Sequence, residues 1–267
     1  MNKQPPNYKS LLWKISGKNL KKASYVFGTM HLICAEDFLI KDKVQKAFKK
    51  CDALFMEVDL ANMDEMEIMS GQEQHSNSIS AGLSESEQQE LDEILQTNYG
   101  FSLKEADMQP PITLLNQMIV RSIGCDEMKV FEMEFIQMAS EANMQTGGLE
   151  TALEQLGIAD EIYDSKELLR QLRIGESYSE VFQNMLQAYK AEDLNTLNLL
   201  VNDRRFMSED GEEIMLIRRN KNWASLMPQL MQEKAIFFAV GAGHLGQEYG
   251  ILHLLREQGY NVNPVYR

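Results

Sequence analysis

Apolar and polar positions along the chain keep two rhythms, a short one at both ends and a helical one between them. LLWKIS (11–16) and SYVFG (24–28) are apolar or aromatic runs joined by the polar GKNLKKA, the pattern of a hairpin or two neighbouring strands. Val44, Ala47 and Phe48 then repeat at helical spacing within 41–50, and ALFMEVD (53–59) is a further strand beginning after Asp52. Strand, helix, strand opens an α/β unit. At the other end, 235–240 reads as a strand, 247–258 as a helix and 260–266 as a last strand.

Between these ends the period is mostly 3.6. Residues 60–83, rich in Met and Ser, predict a short helix and then a loop. SESEQQELDEIL (84–95) opens with the serine and glutamate of a capping box. PPITLLNQMIVRS (110–122) places prolines where a helix tolerates them. Residues 132–144 predict another helix, and TGGLE (146–150) a buried strand approaching a turn. Across 160–204 the pattern is strongly helical. Tyr178, Val181, Phe182, Met185, Leu186 and Tyr189 share one face, which reads as core or a helix–helix seam. A helix over 212–230 is expected to stop near Pro228. The fold class that follows is α/β, one domain over 1–267. Its sheet comes from roughly 11–59, 146–150 and 235–266, with a large helical insertion at roughly 84–145 and 160–230.

One echo crosses this layout. SYVFGTMH and FFAVGAGH each run a β-rich stretch into G-x-x-H, ending in His31 and His244. Gly28 and Gly241 would let the backbone leave each strand at dihedrals that a Cβ resists. Each imidazole would stand just past a strand end, where open α/β sheets bind ligands.

Composition narrows the function classes. The formal charge of −14 argues against a nucleic-acid partner, which demands a basic surface, and against docking on anionic lipid. The acidity serves solubility, a cationic substrate or a metal-binding cleft. No run approaches the ~20 apolar residues of a membrane helix, so no membrane insertion is expected. MNKQPPNYKS carries no apolar signal region. Met1 either opens a chain without an address label, which would be cytoplasmic, or follows a trimmed signal peptide. Cys34, Cys51 and Cys125 form no C-x-x-C pair and no disulfide framework, although one bridge is possible. Oligomeric state has no signature.

The letters G-A-G-H-L-G within AIFFAVGAGHLGQEYG (235–250) also match the dinucleotide fingerprint G-x-G-x-x-G. That motif calls for an acidic residue ~20 positions on and a second strand unit to follow. Counting from Gly246 reaches Tyr266, and YNVNPVYR has no Asp or Glu. These glycines are better suited to a turn and close packing.

The order GTMH, MEVD, GGLETALEQL, RRNKNW and VGAGHLGQEYGILHLLREQGYNVNPV resembles the TraB/PrgY/GumN family over Leu11 to Val265. That family is similar to the Tiki metalloproteases and more distantly to erythromycin esterases and ChaN-like proteins. The resemblance implies site roles for both G-x-x-H motifs and for the strand-borne Glu57. It implies the same for Glu132, where the family often has aspartate, for Glu150 of the L-E-T motif, and for Arg219 and Asn220. It also implies peptide cleavage dependent on a divalent metal such as manganese or cobalt, and secretion or membrane anchorage of many relatives.

Two imidazoles and a carboxylate can hold a divalent ion (manganese, cobalt or zinc) and leave a position open for water. The metal ligands expected are His31, His244 and Glu57. Glu57, Glu150 and Arg219 are the candidate catalytic groups, the glutamates as ligand or general base and Arg219 as oxyanion stabiliser or as the salt-bridge partner of Glu150. Glu132, Asn220 and Tyr249 are candidate substrate contacts, with Glu248 beside Tyr249. His75 in a polar loop and His253 in the last helix read as structural or solvated, and Asp203 with Arg204 and Arg205 as surface charge pairing. The function expected is hydrolysis of a peptide or small-molecule substrate, with ester cleavage as a variant. The alternative is a non-catalytic, PrgY-like regulator that keeps the cleft to bind a peptide or small ligand.

Overall fold

Among the described residues eight short strands form two sheets, with helices packed against them. The computed structural model describes residues 9–70, 78–174 and 177–267. The strands are β1 (Leu12–Ser16), β2 (Ser24–Thr29), β3 (Leu32–Cys34), β4 (Ala53–Met56), β5 (Met128–Val130), β6 (Gln145–Gly148), β7 (Ile236–Gly241) and β8 (Asn261–Pro264). Six of them form one sheet in the order β6-β4-β7-β2-β1-β8, and β3 pairs with β5 in a separate two-stranded ladder. The class is α/β, with a central sheet and many helices.

β6, β4, β7 and β2 run parallel, while β1 is antiparallel to both β2 and β8. All six residues of β2 and all six of β7 are buried. Helices on both faces of a parallel sheet demand that, and it explains why SYVFG and IFFAV read as continuous apolar runs rather than alternating ones. The predicted hairpin is real: Leu12 faces Phe27 and Ile15 faces Ser24.

Register decides where the site lies. Thr29 of β2 stands beside Gly241 of β7, Met56 of β4 beside Ala239, and Met56 beside Gly148 of β6. The chain therefore leaves four adjacent parallel strands at one edge, just before Glu150, Glu57, His244 and His31 in sheet order.

Several boundaries differ from expectation for local reasons. The strand over 53–59 ends at Met56 and the rest turns toward the site. The helical stretch 160–204 is broken by caps. Asp164 accepts from Glu167 N at 2.8 Å and Asp193 from Thr196 N at 3.1 Å, each starting a new helix. Pro228 does not stop its helix, which runs Arg219–Glu233 because Trp223, Ala224, Met227 and Met231 continue one buried face. A π-helical segment, Glu213–Arg218, precedes it directly. The last helix starts at Ile251, later than expected. Ser84 makes its capping box with Glu87, as the sequence indicated.

The core around the sheet packs Trp13, Phe48, Phe131, Phe135, Phe237 and Phe238. A second apolar cluster, built on Leu91, Leu95, Leu114, Met118, Leu168 and Leu169, lies among the inserted helices. From the aromatic stripe, Leu186 and Tyr189 join the sheet core while Tyr178 packs on the second cluster. One bridge forms, Cys34–Cys125, and Cys51 is a buried free thiol. Among the described residues no helix is long and apolar enough to cross a membrane.

Candidate active site

His31 follows β2 through a tight turn and itself adopts the left-handed conformation, φ +52°. Histidine tolerates this better than most residues, but the conformation still needs support from its surroundings. Its Nδ1 lies 2.7 Å from Glu132 Oε1, which also accepts from Thr29 Oγ1 at 3.0 Å. Its Nε2 lies 3.4 Å from Glu57 Oε1, and the ring is 51% exposed. His244 ends the short turn Ala242–His244 after β7 and is buried. Its Nδ1 is 2.7 Å from Asn220 Oδ1, and its Nε2 is 3.7 Å from that same Glu57 oxygen. The imidazoles contributed by the two ends of the chain converge on one carboxylate.

Glu57 is held ionised in a buried place. Its Oε1 accepts from Gly241 N at 2.8 Å and its Oε2 from Arg219 Nη2 at 2.6 Å. Burial works against the charge. The His31 and Arg219 charges outweigh it, and the carboxyl sits well below the usual carboxylate range. Arg219 Nη2 also reaches Glu150 Oε1 at 2.6 Å, and Arg219 Nε lies 3.1 Å from both Glu150 oxygens. Its Nη1 contacts Met215 O at 3.1 Å and His244 Nε2 at 3.2 Å. Every donor group of this buried guanidinium is engaged.

The two histidines differ in charge. Desolvation on the inner side of the His31 ring opposes protonation, but the Glu132 and Glu57 carboxylates prevail and the ring titrates well above its ordinary value. Burial pushes His244 down to about 3. Glu57 opposes the shift, while the Arg219 and His31 charges add to it. His244 is thus neutral, with Nδ1–H donating to Asn220 and the Nε2 lone pair facing Arg219.

The glycines of the motifs serve space rather than dihedral freedom, contrary to the expectation for Gly28 and Gly241. Neither has a positive φ. A Cβ on Gly241 would stand 2.7 Å from His31 Nε2 and 3.3 Å from Glu57 Oε1; one on Gly28 would meet Leu245 Cδ1 at 2.8 Å and Ala242 Cα at 3.0 Å. A Cβ on Gly246 would collide with the Asn198 amide. The G-A-G-H-L-G stretch is a packing device around the two rings, and it does not open directly into a helix as a dinucleotide loop does.

The remaining candidates separate cleanly. Glu132 and Asn220 are buried behind the rings and orient them, with Asn220 Nδ2 donating to Tyr249 O at 3.0 Å. The Tyr249 hydroxyl turns away, donating to Glu212 and accepting from Asn202 at 3.0 Å. Glu248 is exposed. His253 makes a surface pair with Glu257 at 3.3 Å, and Asp203 one with Arg205 at 2.6 Å. His75 lies outside the described residues. Two groups had gone unnoticed. Gln155 Nε2 reaches Glu150 Oε1 at 2.9 Å and Glu57 Oε2 at 3.3 Å. Trp223 donates to Glu150 at 3.1 Å, lies under the Arg219 guanidinium at 4.6 Å and is 4.4 Å from the His244 ring. The spacing of Arg219 and Trp223, four apart on a helix, was a usable signal.

The family model for TraB/PrgY/gumN matches residues 11–264. The chain belongs to that family. It is similar to the protein described as Metalloprotease TIKI2 of Danio rerio, 21% identical over 315 residues. That alignment covers 95% of this chain and 60% of the relative, so the chain spans about three fifths of that relative's length. No solved structure matches it significantly.

That relative is named a metalloprotease, and the donor types gathered here, two imidazoles and a carboxylate, are ones that divalent ions accept. Two imidazoles present Nε2 toward a shared carboxylate oxygen while each Nδ1 is fixed from behind by Glu132 or Asn220, the usual arrangement around ligating histidines. Yet among the described residues no three His, Cys, Asp or Glu side chains stand as a formed ligand group. Arg219 instead covers the His244 Nε2 lone pair.

Proposed function

We propose that this chain is a divalent-metal-dependent hydrolase acting on peptide bonds. The observation that carries the reading is the convergence of His31 Nε2 and His244 Nε2 on Glu57 Oε1 at the ends of adjacent parallel strands. His31, His244 and Glu57 would hold the ion. A bound manganese, cobalt or zinc ion supplies Lewis acidity and a water of lowered pKa.

The residues divide the remaining work. Glu132 and Asn220 hold the two rings in the tautomers that turn Nε2 inward. His31, the exposed ring of the pair, must release its Nε2 proton before that nitrogen can donate a lone pair, so ion uptake is coupled to proton release. Arg219, with its donor groups all engaged, supports a positioning role over direct oxyanion contact: it keeps Glu57 ionised and ties it to Glu150. The Gln155 amide, half-buried and bonded to both carboxylates, would help hold Glu57 and Glu150 in place.

The test is removal of metal with chelator, then addition of manganese, cobalt or zinc with a broad peptide library. Cleavage that returns with metal and is absent from folded His31→Ala and His244→Ala supports the reading. Tight peptide capture without product under every metal overturns it in favour of a binding protein, and cleavage of esters alone overturns the peptide assignment.

A further inference from the structure

His31 and Glu132, the hydrogen-bonded pair on the open side of the site, flank the two strands of the small ladder. His31 immediately precedes β3, and Glu132 lies two residues beyond β5. The ladder pairs Leu32 with Val130 and Cys34 with Met128, and Phe131 N donates to His31 O at 2.9 Å where it meets the site. At its far end Ala35 N donates to Glu127 O at 2.9 Å, and there the Cys34–Cys125 bridge joins the two arms across 91 residues of sequence. The ladder has only three residue pairs, and no residue of β5 is fully buried. Two-stranded pairings of that size are marginal without another tie. The left-handed backbone of His31 depends on the same support.

We propose that the Cys34–Cys125 disulfide is a redox latch for the site: oxidised, it holds His31 against Glu132; reduced, it lets that half of the site open while the sheet stays folded. The inference rests on His31 belonging to the site and not on the reaction assigned to it. Opening needs a dithiol reductant. One of its thiolates attacks a bridge sulfur to form a mixed disulfide, and its second thiol then displaces the remaining protein thiol. The protein gains two electrons and two protons as two cysteine thiols, and the dithiol becomes a disulfide. Cys125 is part-exposed, which gives the attacking thiolate a point of access. A chain kept in a reducing compartment would hold an incompletely assembled site.

The experiment compares the full chain oxidised, reduced by dithiothreitol and reoxidised, with thiols counted by alkylation in denaturant so that the buried Cys51 is included. One alkylatable thiol in the oxidised protein and three after reduction are expected, from three cysteines in all. Hydrogen exchange at the Ala35 and Phe131 amides should accelerate by roughly tenfold or more on reduction, with amides of β2 and β7 unchanged and protection regained on reoxidation. The His31 Nδ1–H resonance should be lost in parallel. Cys125→Ser, read by the same exchange, should match the reduced protein. Three thiols in the oxidised chain, unaltered exchange after reduction, or loss of protection across the whole sheet would each overturn the latch. Manganese binding is measured alongside: affinity that falls on reduction supports the latch. If manganese binds in neither state while exchange still responds, the latch stands and the metal-hydrolase reading fails.

Discussion

Replacing Gly241 with alanine separates site geometry from stability. The added methyl would stand 2.7 Å from His31 Nε2, about 0.7 Å inside the 3.4 Å at which ordinary contact begins, and 3.3 Å from Glu57 Oε1. Gly241 itself has φ −54° and ψ 136°, a conformation alanine accepts, so no backbone strain enters. The obstructed atom is the end of a half-exposed ring, which can swing outward. Overpacking in a core costs about 1–3 kcal/mol, but here the ring's freedom keeps the cost at about 1 kcal/mol or less. The site does not escape so lightly. A displacement of roughly 1 Å of a positioned group can cost ~10²-fold in rate. Gly241→Ala should therefore unfold near the wild-type denaturant midpoint while losing about two orders of magnitude in metal-dependent hydrolysis, with a shifted His31 ring resonance. Gly28→Ala gives the opposite balance. Its methyl meets Leu245 Cδ1 and the Ala242 backbone, both buried, and should cost the full ~1–3 kcal/mol. The measurements are urea unfolding, ring-selective NMR and turnover on the same preparations. A Gly241→Ala protein with an unmoved His31 resonance and undiminished turnover would refute the reasoning.

Three other perturbations test the electrostatics and the buried contacts. In the metal-free chain, stability should fall as pH drops from about 6.5 toward 3, because His244 is neutral when folded and charges when unfolded; in full this is on the order of 5 kcal/mol. Glu57, depressed by its neighbours, adds to that acid loss, whereas His31, raised, contributes below about 6.5 and loses its share as pH rises through its folded value. His244→Asn should flatten the acid slope in urea titrations run with chelator; an unchanged slope would assign it elsewhere. Lys43 is buried with Nζ on Glu192 Oε2, Val265 O and Ser10 Oγ, while Lys41 Nζ holds Glu192 Oε1 at 3.0 Å; Lys43→Met leaves Glu192 with that half-exposed partner alone and should cost about 1–3 kcal/mol, measured by urea unfolding. Gln155→Leu removes the donor shared by Glu57 and Glu150 on a partly exposed helix and should lower kcat about tenfold or more with under ~1 kcal/mol lost in stability; equal losses in both would mark it as structural.

How much of this was readable before the coordinates depends on what each feature is made of. The central strands were legible because both faces of β2 and β7 are buried, and continuous apolar runs ending in glycine are rare in helices. The G-x-x-H echo was legible for the same reason: each motif is local, and adjacency of β2 and β7 then brings the rings together. The ladder of β3 and β5 was not, since LIC and MKV are too short for any period and three cysteines leave their pairing open. Close packing is the reading of the glycines that holds, while the dihedral role expected of Gly28 and Gly241 does not, because the contacts that demand glycine are non-local. Only the arrival of His31, 210 positions earlier in number than Gly241, crowds a Cβ there.

The electrostatics went the same way, and they set what the site can do. Two histidines in identical motifs end in different protonation states because of what stands behind them. His31 has a carboxylate, Glu132, on Nδ1 and stays open to solvent, so it gains a proton readily. His244 has a carboxamide, Asn220, on Nδ1, a guanidinium on Nε2 and no exposure, so it stays neutral. Exchanging those two partners should exchange the roles of the rings. Glu132→Gln should bring His31 back toward its ordinary value, and Asn220→Asp should raise His244, because each change alters the charge beside a ring without altering its size. The duplicated motif thus supplies two like rings, and the elements behind it, a helix after β5 and the helix carrying Arg219, leave one protonated and the other neutral. In the proposed site, ion uptake would then release a proton from His31 and none from His244.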